Sequence, residues 1–160
     1  MEIEVLKKAK CPENVIDHCI AVYKKSMKMA KDFDNVDLDL IKTGSLLHDI
    51  GRSKTHGIKH AIEGAKIAEE LGYDEKVCNI IERHIGAGIT EKEAEELGLP
   101  IKSYVPQTLE EKIVAHSDNL ISGTEEVDLN FVIDKIRRKV DNPEEKIDRL
   151  ILLHNELKQA

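Results

Sequence analysis

The sequence predicts an all-α fold, a helical bundle of about five core helices followed by two C-terminal helices, and three observations lead there. Apolar residues recur at spacings of three and four. Polar caps and glycines punctuate the chain at helical lengths. The composition leans on Ile, Leu, Val, Ala, Glu and Lys, with only two Phe, three Tyr and no Trp, and lacks the turn clusters of a sheet protein.

Pro12 suits the first turn of a helix, and Val15, Cys19, Val22, Ser26 and Met29 follow at helical spacing, which predicts a helix over 13–32. The polar stretch DNVD leads to a second helix over 38–49, which Gly51 stops by taking a left-handed conformation. After the loop RSKTHG, a third helix covers 58–71 and ends at Gly72. Asp74 caps a fourth that runs to Ile85, before Gly86. Residues 86–107 are rich in Gly and Pro and read as an insert with the role of a lid, although Thr90 and Glu93 form a capping box for a short helix within it. A second capping box, Thr108 with Glu111, opens a fifth helix over 109–122 before Gly123. Asp128 caps a sixth through Val140, and Asn142, Pro143 and Glu145 begin a seventh that reaches Gln159. The 160 residues then form one domain, with a core over 13–122 and a helical extension over 123–160.

With 31 acidic against 24 basic residues the net charge is −7, which offers no general attraction for DNA, RNA or anionic lipid. The three cysteines, at 11, 19 and 78, lack C-x-x-C spacing and read as ordinary thiols of a reducing compartment. The opening MEIEVLKKAK has no apolar run of signal-peptide length, and no segment approaches the ~20 apolar residues of a membrane span. These features predict a cytoplasmic protein with no nucleic-acid polymer and no membrane as partner.

The chemical signal is a set of His and Asp residues at positions where the helical period calls for an apolar side chain. His18 lies on the stripe of Val15, Cys19 and Val22, His84 on that of Val77, Ile80 and Ile81, and Asp118 on that of Val114 and Ile121. An unpaired buried carboxylate costs several kcal/mol or more, so Asp118 requires a hydrogen-bonded base or a cation. Neighbours on a helix point about 100° apart, so His48 and Asp49 reach one ion only at a helix end. Two imidazoles and two carboxylates with coordination positions left for water suit Mn, Fe, Co, Mg or Ni better than a closed structural zinc. Taken singly, each of these residues reads as a core histidine or a cap, as His116 and His154 do. Their combination is what points to a site.

His18, then His48-Asp49-Ile50-Gly51, then Asp118, in the order H…HD…D over residues 14–122, resembles the HD-domain superfamily of metal-dependent phosphohydrolases, and in particular its small HDIG-motif proteins, dinucleoside tetraphosphate hydrolases among them. The resemblance implies a helical bundle around a divalent metal held by His18, His48, Asp49 and Asp118. It also implies a second ion on His60 and His84, which otherwise bind substrate phosphate or simply pack. The expected activity is hydrolysis of a nucleotide or other small phosphate ester by metal-activated water. Asp49 orients or deprotonates that water, and Arg52 and Lys54 bring positive charge to the substrate. Two other functions compete: a non-catalytic regulator that binds a nucleotide or partner, and a di-iron oxygenase with the same ligands. A homodimer through the last two helices is compatible with their amphipathic pattern.

Overall fold

The computed structural model describes residues 1–159 and is mostly helical. Helix α1 (Glu2–Lys8) precedes α2 (Glu13–Ala30) and α3 (Leu38–Leu47). A 3-10 turn (Ile50–Ser53) then leads to α4 (His60–Glu70) and α5 (Glu75–Glu82). Beyond them lie α6 (Glu91–Glu96), α7 (Leu109–Asn119), a hairpin of β1 (Ile121–Ser122) and β2 (Glu125–Glu126), α8 (Leu129–Lys139) and α9 (Glu144–Glu156). No described helix is long and apolar enough to cross a membrane.

Two apolar clusters hold the bundle. Leu6, Cys19, Leu47, Ile50, Val77 and Ile81 form one; Ile41, Ile80, Ile113, Val114 and Leu150 belong to the other. Helix α5 feeds both, Val77 and Ile81 from one side and the neighbouring Ile80 from another. The predicted caps at Asp74, Thr90, Thr108 and Asp128 all accept hydrogen bonds from backbone N–H groups in the first turn of their helices. Only Thr90 completes a reciprocal capping box. Glu111, the expected partner of Thr108, instead accepts from the Gln107 N–H at 3.0 Å and from Arg83 at 2.8 Å.

The structure differs from the sequence reading where short-range features meet tertiary contacts. Residues 2–8, unassigned from sequence, form α1 around the buried Leu6. The helix expected over 109–122 ends at Asn119, because Ile121 and Ser122 pair with Glu126 and Glu125 across a turn in which Gly123 takes φ +64°. Lys25 on α2 pins this hairpin through Glu126 at 2.9 Å. The helix expected to reach Ile85 ends at Glu82. The one expected to reach Asp49 ends at Leu47, with His48 as its C-cap.

Residues 86–107, read as a lid from sequence, are anchored to the bundle. They are tied down by their own cluster of Ile89, Ala94, Leu99 and Tyr104, by mutual backbone hydrogen bonds between Ile89 and Tyr104, and by Glu93, which accepts from Arg149 at 2.7 Å. Burial pushes the Glu93 carboxyl up, but the Thr90 backbone N–H, then Arg149 and Lys146 at 3.4 Å, together hold it below its usual range.

Gly51 is not left-handed either. Its role is close approach: a Cβ there would stand 1.8 Å from the His60 carbonyl oxygen and 2.6 Å from the Gly64 nitrogen, so the 3-10 turn lies directly against the start of α4. Gly51→Ala is therefore expected to force the turn and α4 apart. It should destabilise the fold by about 2–3 kcal/mol in denaturant titration, and weaken metal binding because both sides of the contact carry site residues.

Candidate metal centre

The helix ends and turns above bring six side chains together. His18 comes from the second turn of α2, His48 and Asp49 from the break between α3 and the 3-10 turn, His60 from the first residue of α4, His84 from just beyond α5, and Asp118 from the last turn of α7. His48, Asp49, His60 and His84 are buried.

Each of the four imidazoles has its Nδ1 against a backbone carbonyl. His48 Nδ1 lies 2.7 Å from Ser45 O, His60 Nδ1 2.8 Å from Gly57 O and His84 Nδ1 2.6 Å from Ile81 O, in each case three residues earlier. His18 Nδ1 lies 2.6 Å from the Gly123 carbonyl, supplied by the hairpin turn. A carbonyl only accepts, so each Nδ1 carries the proton and donates it. In the neutral ring each Nε2 then keeps its lone pair, turned toward the others. Such contacts fix tautomer and ring orientation in metal sites.

The Nε2 atoms face two carboxylates. Asp118 Oδ1 is 2.9 Å from His18 Nε2 and 3.3 Å from His48 Nε2. Asp49 faces both halves of the group: Oδ1 lies 3.2 Å from Nε2 of both His60 and His84, and Oδ2 lies 3.7 Å from Nε2 of both His18 and His48. Arg52 Nε donates to the same Oδ2 at 3.1 Å, and its Nη1 donates to the His56 carbonyl at 3.2 Å.

Two features test whether a cation fits. His48 Nε2 and Asp49 Oδ1 are buried without a hydrogen bond, since the nearby atoms are close but not aligned for one. Buried polar atoms of this kind cost about 1–3 kcal/mol each when left unpaired. In addition, Nε2 of His60 and of His84 stand 3.1 Å apart. Two lone pairs at that distance repel unless a proton or cation lies between them, whereas nitrogens in neighbouring positions around one ion stand about 3 Å apart. The ligand atoms of His18, His48 and Asp118 all lie within 4.8 Å of one another, as do those of His48, Asp49 and His84. The group fits a divalent ion at each end, with Asp49 reaching both.

The charges agree. Burial works against ionisation of Asp49, but His48, His60 and His84 hold its carboxyl far below the ordinary range. His48 and His18 do the same for the partly buried Asp118, again against the effect of burial. Burial pushes the His48 imidazole down, and the carboxylates of Asp49 and Asp118 more than reverse it. His18 rises likewise, burial being outweighed by Asp118, while burial keeps His84 below its ordinary value.

A cleft of about 390 Å³ opens onto the group, within the range of ligand sites. His18, Asp49, Arg52, His60, His84 and Asp118 all border it. Lys54 does not: it is exposed and lies outside the cleft wall. Gly86 and Ala87 are the only residues of the 86–107 insert on the cleft, whose far side is formed by α8. Asn119 also borders it, donating to the Gly86 carbonyl at 3.1 Å rather than to a ligand. The Gly123 carbonyl and the α8 side chains were missed from sequence. The first lies in a hairpin too short to leave a periodic signal; the second is legible in retrospect as the stripe Phe131, Lys135, Lys139 at spacings of four.

The HD domain family model matches residues 15–123, which span every one of these ligands. The chain belongs to the HD-domain family. Among its relatives, this HD protein is 54% identical over 151 residues to an uncharacterised protein of Methanocaldococcus jannaschii, covering 92% of this chain and 89% of that one. It is 47% identical over 153 residues to a tRNA (cytidine(56)-2'-O)-methyltransferase of Picrophilus torridus; this covers 96% of the chain but only 44% of the methyltransferase, so the chain spans less than half of that relative. The HD domain of the L. monocytogenes phosphodiesterase PgpH, solved in complex with cyclic-di-AMP, shares the fold with a TM-score of 0.59 at 18% identity, over 98% of each chain.

If an ion relieves the unpaired His48 and Asp49 atoms, it binds the folded chain alone. Adding Mn²⁺ at about 100 times its dissociation constant to chelator-treated protein should stabilise it by about 2.7 kcal/mol. That raises the midpoint of thermal unfolding by about 5–10 °C. In His48→Ala the shift should vanish.

Proposed function

We propose that this HD-domain protein is a metal-dependent phosphohydrolase acting in the cytoplasm on a nucleotide or another small phosphate ester. The observation that carries the reading is the convergence of four Nε2 atoms and the carboxylates of Asp49 and Asp118 at one end of a cleft that also holds Arg52. Four nitrogens among six ligands favour Fe, Co, Ni or Mn over Mg. His18, His48, Asp118 and Asp49 would hold one ion, and Asp49, His60 and His84 a second. Divalent ions in such a site supply positive charge for phosphate oxygens and make water a competent nucleophile near neutral pH.

The chain's own groups supply the rest. With its pKa held far down, Asp49 is a poor proton acceptor, so it serves to orient water by accepting its hydrogen bond rather than by removing its proton. Arg52, on the rim beside Asp49, presents a planar fork suited to two phosphate oxygens. Where a second ion is absent, His60 and His84 would meet phosphate only as imidazolium, with Nε2 protonated as well as the Nδ1 that stays on its carbonyl. Lys54 acts at most as a distant positive charge. The core over 13–122 and the extension over 123–160 act as one domain, since α8 completes the cleft.

The presence of the full ligand set argues against a non-catalytic regulator. A second reading, with the scissile phosphodiester in RNA, draws on the tRNA named in one relative's activity. The net charge of −7 weighs against it.

In an assay of bis-p-nitrophenyl phosphate and a nucleotide panel with Mn²⁺, Fe²⁺ or Co²⁺, the wild type should release product. Asp49→Asn and His48→Gln should each lower the rate by more than about 100-fold with the helical circular dichroism retained, since even outer partners of metal ligands are worth 10–100-fold. Turnover of RNA in preference to every small ester would favour the second reading, and an oxygen-dependent, iron-specific reaction without phosphate release would point to oxygenase chemistry.

A further inference from the structure

Helix α8 turns one stripe of side chains into the cleft opposite the metal ligands: Phe131, Lys135 and Lys139, each four residues from the next. Successive members stand about 6 Å apart along the helix axis. Between them, Val132 and Ile136 continue an apolar floor with Ile121 and Leu150.

Two properties of this stripe bear on what the cleft holds. Lys25, Arg83, Lys102, Lys112, Lys146 and Arg149 are all paired with carboxylates at 2.7–3.4 Å. Lys135 and Lys139 border the cleft of the metal group, and among the described residues no carboxylate lies within 4.0 Å of either, as holds too for Lys24 and Lys28 on another cleft. What distinguishes these two is their place, on the wall of the cleft that holds the metal group, where in a chain of net charge −7 free positive charge suits an anion. Phe131 is 42% exposed and is the one aromatic among the exposed large apolar side chains of the described residues. An aromatic face at the rim of an apolar floor suits a planar ring.

We infer that α8 is a second recognition wall, on which Lys135 and Lys139 bind a phosphate beyond the one at the metal ligands and Phe131 packs against the nucleobase. The ligand class is then a small nucleotide carrying two or more phosphates. This deepens the reading above and rests on it for the first phosphate only. An unpaired lysine can form a charge-assisted hydrogen bond of about 1.5–3 kcal/mol with a phosphate oxygen, so a second phosphate should tighten binding about tenfold or more.

Binding rather than turnover tests the inference. The full-length chain loaded with Mn²⁺ is titrated calorimetrically with AMP, with the α,β-methylene analogue of ADP, which resists cleavage between its phosphates, and with methylenediphosphonate, which lacks the nucleoside. The diphosphate analogue should bind at least tenfold tighter than AMP to the wild type. Lys135→Gln with Lys139→Gln should abolish this gain, whereas the control Arg137→Gln with Arg138→Gln, which removes equal charge from outside the cleft, should keep it. Phe131→Ala should weaken the ADP analogue at least fivefold and methylenediphosphonate less than twofold. A gain that persists without the two lysines, a gain lost equally in the control pair, or no nucleotide binding at all would overturn the inference. So would a short oligoribonucleotide that binds more tightly than the ADP analogue. Failure of the phosphohydrolase reading appears separately, as intact binding with no release of product from bis-p-nitrophenyl phosphate.

Discussion

Four histidines spend their Nδ1 protons on backbone carbonyls, and this constraint organises the rest of the site. The carbonyls of Ser45, Gly57, Ile81 and Gly123 do not merely satisfy donors; they decide which nitrogen of each ring faces inward. Three of them belong to residues three positions upstream, at the end of a helix or just before its start, where carbonyls are open to a side chain. This explains why three of the four imidazoles sit at helix ends rather than mid-helix. α3 ends at Leu47 and α5 at Glu82, so that His48 and His84 can turn back on their own last turns. The exception, His18, lies within α2 and needs a carbonyl from elsewhere, which the hairpin after α7 brings.

The inward nitrogens make the protein's interior costly without a partner. Asp49 and Asp118 ionise there because positive or potentially positive imidazoles surround them, and those imidazoles remain buried because the carboxylates are ionised. Neither half satisfies the other fully, as the unpartnered His48 Nε2 and Asp49 Oδ1 demonstrate. Close packing around the group keeps it from relaxing: the 3-10 turn that follows Asp49 rests on the backbone of α4 at Gly51, with no space for a side chain.

Much of this was legible in the sequence, for a physical reason. Polar residues at apolar positions of a helical stripe are conspicuous because burial penalises them, so His18, His84 and Asp118 stood out, and the His48-Asp49-Ile50-Gly51 run at a helix end completed the set. Other features depend on contacts distant in sequence. Gly51 was read as a left-handed stop because glycine after a helix usually is one, whereas here it is the neighbour, α4, that forbids a Cβ. The two-residue strands of the hairpin are too short for alternation to show, and with them the partner of His18 was hidden. Residues 86–107 looked like a lid by composition, but Ile89, Ala94, Leu99 and Tyr104 give them a small core of their own. The cleft is instead bounded by α8, whose amphipathic pattern could not disclose what its polar edge would face.

The central claim is that the four Nε2 atoms and the carboxylates of Asp49 and Asp118 serve a common divalent centre. Anomalous diffraction from crystals of the Mn²⁺-loaded protein tests it most directly. The account predicts manganese peaks bonded to these Nε2 atoms, with the carboxylate of Asp49 reaching toward both halves of the group and every Nδ1 still on its carbonyl. Manganese held elsewhere, or bound through Nδ1 with those carbonyl contacts broken, would contradict it.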